Sequence, residues 1–160
     1  KLFSNSISRE SKKIHSNNIK LKFIGDTSLL TKALQIKIKE IEKETSRNKR
    51  LVLNVALNYG GRLDIVNSVN TFYNNKKKIK KITEKDINSG LYTKGQSDVD
   101  LLIRTGGQQR MSNFLLWQSA YAELFFSKKL WPDFDEKIFV NALYFFQNTE
   151  RKFGSVSKST

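Results

Sequence analysis

Residues 98–133 read DVDLLIRTGGQQRMSNFLLWQSAYAELFFSKKLWPD, and this stretch decides the fold. A mostly apolar run at 99–103 stops at Arg104, which two glycines, Gly106 and Gly107, follow closely. Such a pattern is typical of a buried parallel strand that delivers a loop to the edge of an α/β sheet. Loops at that edge bind ligands, so the stretch predicts a strand followed by a binding loop.

The loop has the residue types of a phosphate site. Gly106 and Gly107 would let backbone amides come close to a ligand, because glycine carries no side chain. The planar guanidinium groups of Arg104 and Arg110 suit phosphate oxygens. Ser112 is predicted to cap the next helix at its N-terminus. We interpret the segment as a candidate phosphate cradle.

Three motifs in order carry a family resemblance: DLLIRTGGQQRMSNFLLWQ at 100–118, AYAELFF at 120–126 and LWPDF at 130–134. Together they resemble the C-terminal signature of cis-prenyltransferases of the undecaprenyl diphosphate synthase type. The resemblance continues at IGD (24–26), LNYGGR (57–62) and RKFG (151–154), so it covers nearly the whole chain. It implies an α/β fold in which helices flank a parallel β-sheet.

The resemblance also implies a reaction. In this family, isopentenyl diphosphate adds repeatedly to an allylic diphosphate, such as farnesyl diphosphate. Each new double bond is cis. The expected product is a long, undecaprenyl-type polyprenyl diphosphate that serves as a lipid carrier for cell-wall synthesis. The same resemblance implies Mg²⁺ as cofactor, a homodimer, a cytoplasmic location and a peripheral membrane contact for the product. No nucleic-acid partner is expected.

Site residues follow from the matching positions. Arg104, Arg110 and Ser112 match the residues that hold the isopentenyl diphosphate group, and Met111 supplies a backbone position among them. Glu123 matches the carboxylate associated with magnesium. Two positions depart from the family pattern. Gln108 stands where glutamate is usual, and Lys152 replaces an arginine, which keeps the charge but loses the two-pronged fork.

The family motif that supplies the metal-binding aspartate and the allylic diphosphate loop has no counterpart in this sequence. The chain opens without methionine and inside a helical pattern. We therefore expect residues 1–160 to be the C-terminal part of a single domain whose N-terminal part is absent. No catalytic residue is assigned here, and the chain alone is expected to be inactive. A non-catalytic partner subunit is the first alternative.

The formal net charge of +14 raises a second alternative, a nucleic-acid-binding domain. Lysines outnumber arginines 22 to 7, and the lysine run at 76–81 has no interleaved aromatic residues for base stacking. A solvated helix face therefore explains the run better. The chain has no cysteine, which excludes disulfides and thiolate metal sites.

Apolar patterning predicts strands at 19–24, 51–57 and 124–126 besides the one at 99–103. The strand at 51–57 is expected to be covered on both faces. Asp26 is interpreted as a turn or capping carboxylate, with a helix after Thr27 or Ser28. Further helices are expected with these apolar residues: Leu63, Val66, Val69 and Tyr73; Phe114, Trp117 and Tyr121; and, starting near Asp135, buried Phe139, Leu143 and Phe146. A short helix should follow Thr83.

Overall fold

A computed structural model of the chain describes residues 10–75 and 81–151. The expectations for residues 1–9, for most of the lysine run and for Lys152 lie outside these ranges. The chain forms two compact units that divide after Lys94. In the part of the chain that the structure describes, no helix is long and apolar enough to span a membrane.

The first unit contains a parallel strand pair, β1 (Ile19–Ile24) and β2 (Leu51–Ala56). Their register runs from Ile19 opposite Leu51 to Ile24 opposite Ala56. Parallel neighbours need a crossover connection, and helix α1 (Lys32–Thr45) provides it. The two strands predicted for this part of the chain, and the helix between them, are all present.

Side chains from α1 and from Asn48, which follows the helix, close the outer edge of β1. Three residues spaced three apart bond to alternate residues of the strand: Glu42 Oε1 accepts from the Phe23 amide (2.8 Å), Thr45 Oγ1 accepts from the Leu21 amide (3.1 Å), and Asn48 Nδ2 donates to the Ile19 carbonyl (2.7 Å). An unpaired strand edge would otherwise expose these groups to another chain. The side chains therefore stand where a further strand would bond.

Helix α1 begins at Lys32 and not directly after Thr27 or Ser28, so the predicted start is wrong. The Ser28 amide donates to Asp26 Oδ1 at 2.9 Å. Gln35 Nε2 then donates to the Ser28 carbonyl at 3.1 Å. These bonds hold residues 26–30 in a turn that delays the helix. The turn role expected for Asp26 is confirmed.

Helix α2 (Gly61–Asn75) buries its polar side. Asp64 is 1% exposed, and it accepts from the Tyr59 hydroxyl at 2.9 Å and from the Tyr92 amide at 3.0 Å. Ser68 is fully buried and donates to the Ile87 carbonyl at 2.5 Å. These bonds satisfy polar groups that burial would otherwise penalise.

The partner of α2 is helix α3 (Glu84–Gly90). Its predicted start is confirmed, because Thr83 and Asp86 form a reciprocal capping box. The apolar residues expected to anchor α2 are mostly exposed: Leu63, Val66 and Tyr73. The expectation that both faces of β2 are covered is not met in this unit, because Leu51, Val52 and Leu53 are exposed. Apolar patterning identified a face but not what covers it.

The second unit contains another parallel pair, β3 (Leu101–Arg104) and β4 (Glu123–Phe126). A 3₁₀ turn (Trp131–Asp133) follows, and then helix α4 (Glu136–Gln147), which Asp135 caps by accepting from the Ile138 amide. The described strands thus form two two-stranded parallel sheets. The parallel α/β fold class is confirmed.

Two expectations for this unit are wrong. No helix forms at 114–121, where the chain makes successive turns. Ser112, Asn113 and Leu115 have positive φ values of 47°, 64° and 45°, and L-residues in that conformation cannot continue a right-handed helix. In α4, Phe139 and Leu143 are exposed, whereas Ala142 is fully buried.

Candidate functional site

The candidate site is the loop that leaves the C-terminal end of β3. Arg104 is the last residue of that strand, and its Nη1 donates to Ser112 Oγ at 2.8 Å and to the Arg110 carbonyl. Arg110 Nη1 donates to Gln108 Oε1 at 2.5 Å. Arg104 therefore gathers the predicted residues Arg110, Met111 and Ser112 into one short turn.

No described carboxylate compensates the charge of either guanidinium group. Within the described residues, neither Arg104 nor Arg110 forms an ion pair with a carboxylate. Their bonds go to neutral oxygens of a serine, an amide side chain and a backbone carbonyl. Two cationic groups beside a hydroxyl form a site suited to an anion with several oxygens, such as a phosphate or diphosphate.

The two glycines have a different part from the one expected. The Gly106 amide donates to the Lys129 carbonyl at 2.7 Å, and the Gly107 amide donates to the Ser127 carbonyl at 2.9 Å. Both glycines have positive φ values, 86° and 74°, which glycine adopts without steric cost. The expectation that these amides face a ligand is therefore wrong. They fasten the loop to the chain that follows β4.

Ser112 is not a helix N-cap. Its φ of 47° is left-handed and no helix follows it, so the predicted cap is also wrong. The turn instead directs its hydroxyl oxygen to Arg104. The residue remains in the candidate site through this bond.

Glu123 lies at the other end of the strand pair. It is opposite Leu101, whereas Arg104 is opposite Phe126. Three residues along a strand correspond to about 10 Å. The structure therefore brings together Arg104, Arg110, Met111 and Ser112 but does not bring Glu123 into that group.

Arg151 is the partner of Glu123, with Nε 3.8 Å from Glu123 Oε1. Arg151 Nη1 also lies 2.6 Å from Asp100 Oδ1, and its guanidinium lies 5.3 Å from the centre of the Phe146 ring. This cluster was not predicted. The strand register indicates two neighbouring carboxylates that a cation could bridge, because Asp100 and Glu123 lie at the same end of adjacent parallel strands.

The described residues do not assemble a magnesium site. Mg²⁺ in proteins takes oxygen ligands, commonly one or two carboxylates plus phosphate oxygens and waters. Glu123 is paired with Arg151 and lies at the opposite end of the strand pair from Arg104. Across residues 10–75 and 81–151, no group of three His, Cys, Asp or Glu side chains could hold a metal ion.

The first unit has a cavity of about 420 Å³ at the C-terminal end of β1. Asp26 lines it, and the Ser28 hydroxyl and amide lower the pKa of that carboxyl by bonding to its charged form. Gly25 has a φ of 109°, and a Cβ there would lie 2.2 Å from the Leu57 carbonyl oxygen. The turn after β1 thus lies against the backbone that follows β2.

Known proteins match this chain over nearly its whole length. A prenyltransferase family model described as undecaprenyl diphosphate synthase matches residues 1–154. The chain belongs to this family of cis-prenyltransferases. It is 47% identical over 161 residues to the farnesyl-diphosphate-specific ditrans,polycis-undecaprenyl-diphosphate synthase of Pasteurella multocida. It is 48% identical over 158 residues to the corresponding synthase of Haemophilus influenzae.

Solved structures of cis-prenyltransferases have the same fold. A probable undecaprenyl diphosphate synthase from Campylobacter jejuni matches with a TM-score of 0.86 and 34% identity, over 96% of this chain and 72% of that one. Lavandulyl diphosphate synthase from Lavandula x intermedia, in complex with dimethylallyl diphosphate, matches with a TM-score of 0.86 and 33% identity, over 95% and 68%.

The chain spans about two thirds of the length of the curated relatives. The alignment covers 98% of the chain and 67% of the Pasteurella multocida synthase, and 96% and 66% for the Haemophilus influenzae synthase. The activity, substrates and partners of full-length cis-prenyltransferases are therefore only proposed for this chain.

Proposed function

We propose that this chain supplies the isopentenyl diphosphate site of a cis-prenyltransferase. The proposed reaction joins isopentenyl diphosphate to an allylic diphosphate, such as farnesyl diphosphate, with a cis double bond, and builds an undecaprenyl-type polyprenyl diphosphate. The product would serve as a lipid carrier in cell-wall synthesis. The observation that carries the proposal is the uncompensated pair Arg104 and Arg110, joined to Ser112 at the C-terminal end of β3.

The proposed roles follow from the donors that the residues have. A guanidinium presents parallel N–H groups that match two oxygens of a diphosphate. Arg104 Nη1 bonds within the loop and shapes the turn, so the donors on the other two guanidinium nitrogens are proposed to bind the diphosphate. Arg110 and the Ser112 hydroxyl supply further donors, and Met111 supplies backbone between them. Bound this way, the substrate is held by its charged group and its isoprene end is oriented for attack.

Mg²⁺ remains part of the proposal as cofactor. A departing diphosphate carries charge that a divalent cation compensates. Glu123 is the candidate ligand in this chain. Its pairing with Arg151 means that metal binding and this ion pair compete for one carboxylate.

The proposed assembly is a homodimer. Large apolar side chains of the second unit are exposed, including Tyr121 (73%) and Trp131 (75%). Exposed apolar surface of this extent is typical of protein interfaces. Sedimentation equilibrium at micromolar concentration tests the assembly, and a protein that remains monomeric would contradict it.

The proposed location is the cytoplasm, with peripheral contact between the product and a membrane. A formal charge of +14 favours attraction to anionic headgroups, and a polyprenyl tail partitions into the hydrocarbon layer. Vesicle flotation with and without anionic lipid would measure this contact. Equal flotation on both vesicle types would argue against an electrostatic contribution.

Isothermal titration of the chain with isopentenyl diphosphate tests the proposed site. We expect saturable binding with one site per chain. Absence of binding to a folded chain, verified by circular dichroism, would contradict the proposal. Addition of Mg²⁺, farnesyl diphosphate and radiolabelled isopentenyl diphosphate to the same sample tests whether the chain alone makes product, which the sequence predicts it does not.

A further inference from the structure

We infer that Lys128 and Lys129 belong to the diphosphate site as its outer cations. This inference rests on the proposed function and extends it to two residues that lie between the motifs at 120–126 and 130–134. It starts from the backbone bonds that join the loop after β3 to the segment after β4.

Three hydrogen bonds continue the strand pairing beyond β3 and β4. The Ser127 amide donates to the Arg104 carbonyl at 2.8 Å, the Gly107 amide donates to the Ser127 carbonyl, and the Gly106 amide donates to the Lys129 carbonyl. A Cβ built on Gly107 would lie 3.9 Å from the Lys128 Cα. Both lysines are therefore carried by backbone that is bonded directly to the arginine loop.

The charge of the two lysines is not compensated locally. Both side chains are exposed, and neither forms an ion pair within residues 10–75 and 81–151. With Arg104 and Arg110 they place four cations on two bonded segments. Clustered charge of one sign raises the local concentration of an oppositely charged ligand.

The lysines and the arginines have different roles in binding the diphosphate. The rigid fork of arginine recognises phosphate geometry at contact distance, whereas the ammonium of lysine acts as a mobile point charge. The lysines therefore attract the diphosphate electrostatically, and the arginines select it. This division predicts different salt dependences, because screening weakens attraction over a distance much more than it weakens a direct bond.

The test uses inorganic pyrophosphate as the probe and the double substitution Lys128→Gln/Lys129→Gln. The control is Lys12→Gln/Lys13→Gln, an exposed pair in the first unit with the same change in net charge. At about 0.01 M salt, where the Debye length is about 30 Å, we expect the first pair to weaken pyrophosphate binding about 3- to 10-fold. At about 1 M salt, where that length is about 3 Å, the loss should be less than about twofold.

The control should weaken binding by less than about twofold at both salt concentrations. Equal losses in the two variants would overturn the inference, because net charge alone would explain them. A loss that persists at high salt, or a wild-type chain that does not bind pyrophosphate, would also overturn it. If the Lys128/Lys129 variant shows the expected salt-dependent loss but isopentenyl diphosphate binds no more tightly than pyrophosphate, the inference stands and the proposed function loses support.

Discussion

Arg104 Nη1 lies 2.8 Å from Ser112 Oγ, across a loop of seven intervening residues. The bond joins the end of β3 to the end of the candidate site, and Arg104 also holds the Arg110 carbonyl. One arginine thus organises the loop and presents its charge there. The geometry of the proposed diphosphate site therefore depends on this residue more than on the glycines that first mark the loop in the sequence.

Ser112→Ala and Ser112→Gly form a matched pair that separates the hydroxyl from the backbone. Both remove the acceptor of Arg104, but only glycine relieves the positive φ of 47°. We expect both to weaken isopentenyl diphosphate binding by about 0.5–1.5 kcal/mol, the usual net value of one hydrogen bond. Titration calorimetry measures it. Full affinity in both variants would contradict a role for the hydroxyl in binding.

Gly25→Ala should destabilise the chain strongly. The new Cβ would lie 2.2 Å from a backbone oxygen at a φ of 109°, and neither the strand nor the loop after β2 can move easily. We expect a loss of about 3 kcal/mol or more in the free energy of unfolding. Gly95→Ala is the control, because nothing lies within 4 Å of its Cβ and only the left-handed cost of about 1 kcal/mol applies. Urea denaturation of both variants measures the difference, and equal losses would contradict the close approach.

Thr45→Val tests how α1 closes the edge of β1. Valine keeps the shape but removes the oxygen that accepts from the Leu21 amide. Hydrogen exchange read by NMR should accelerate at Leu21 and remain slow at Phe23, whose acceptor is Glu42. A buried amide left without a partner costs about 1–3 kcal/mol. Unchanged exchange at Leu21 would mean that the threonine is not its acceptor in solution.

Arg151→Met tests the ion-pair cluster of the second unit. Methionine keeps much of the apolar stem but releases Asp100 and Glu123 and ends the contact with Phe146. We expect a loss of about 1–2 kcal/mol in the free energy of unfolding, allowing for the exposure of Asp100 and the partial exposure of Glu123. Lys37→Met breaks an exposed ion pair within α1 and should cost at most about 0.5 kcal/mol. Chemical denaturation of both variants decides, and a smaller loss for Arg151→Met would contradict the account.

The strands could be predicted from the sequence because each is short and rich in apolar residues, which alternate with lysines in β1 and are nearly continuous in the other three. The start of α3 could be predicted because Thr83 and Asp86 are neighbours in the chain, so the capping box needs no tertiary contact. The turns at 112–121 could not. Aromatic spacing there is compatible with a helix, but the left-handed residues Ser112, Asn113 and Leu115 exclude it.

Burial was harder to predict than secondary structure. Helix α2 buries Asp64 and Ser68 and exposes Leu63, because α3 and Tyr59 offer polar partners to the first two. An apolar pattern cannot reveal such a partner. In the candidate site, the motif identified Arg104, Arg110 and Ser112 together. It could not reveal that the glycine amides are already bonded, since that depends on the chain after β4.

The affinity of Arg104→Lys for isopentenyl diphosphate tests the central claim most directly. Lysine keeps the charge but cannot present two parallel donors or hold the Ser112 oxygen in the same way. Titration calorimetry should show a loss of about 1.5–3 kcal/mol, roughly tenfold to more than a hundredfold, which persists at high salt. Arg47→Lys, an exposed arginine of the first unit, is the control and should bind as the wild type does. Farnesyl diphosphate binding should change much less, and unchanged isopentenyl diphosphate affinity, or a loss confined to the allylic substrate, would contradict the account.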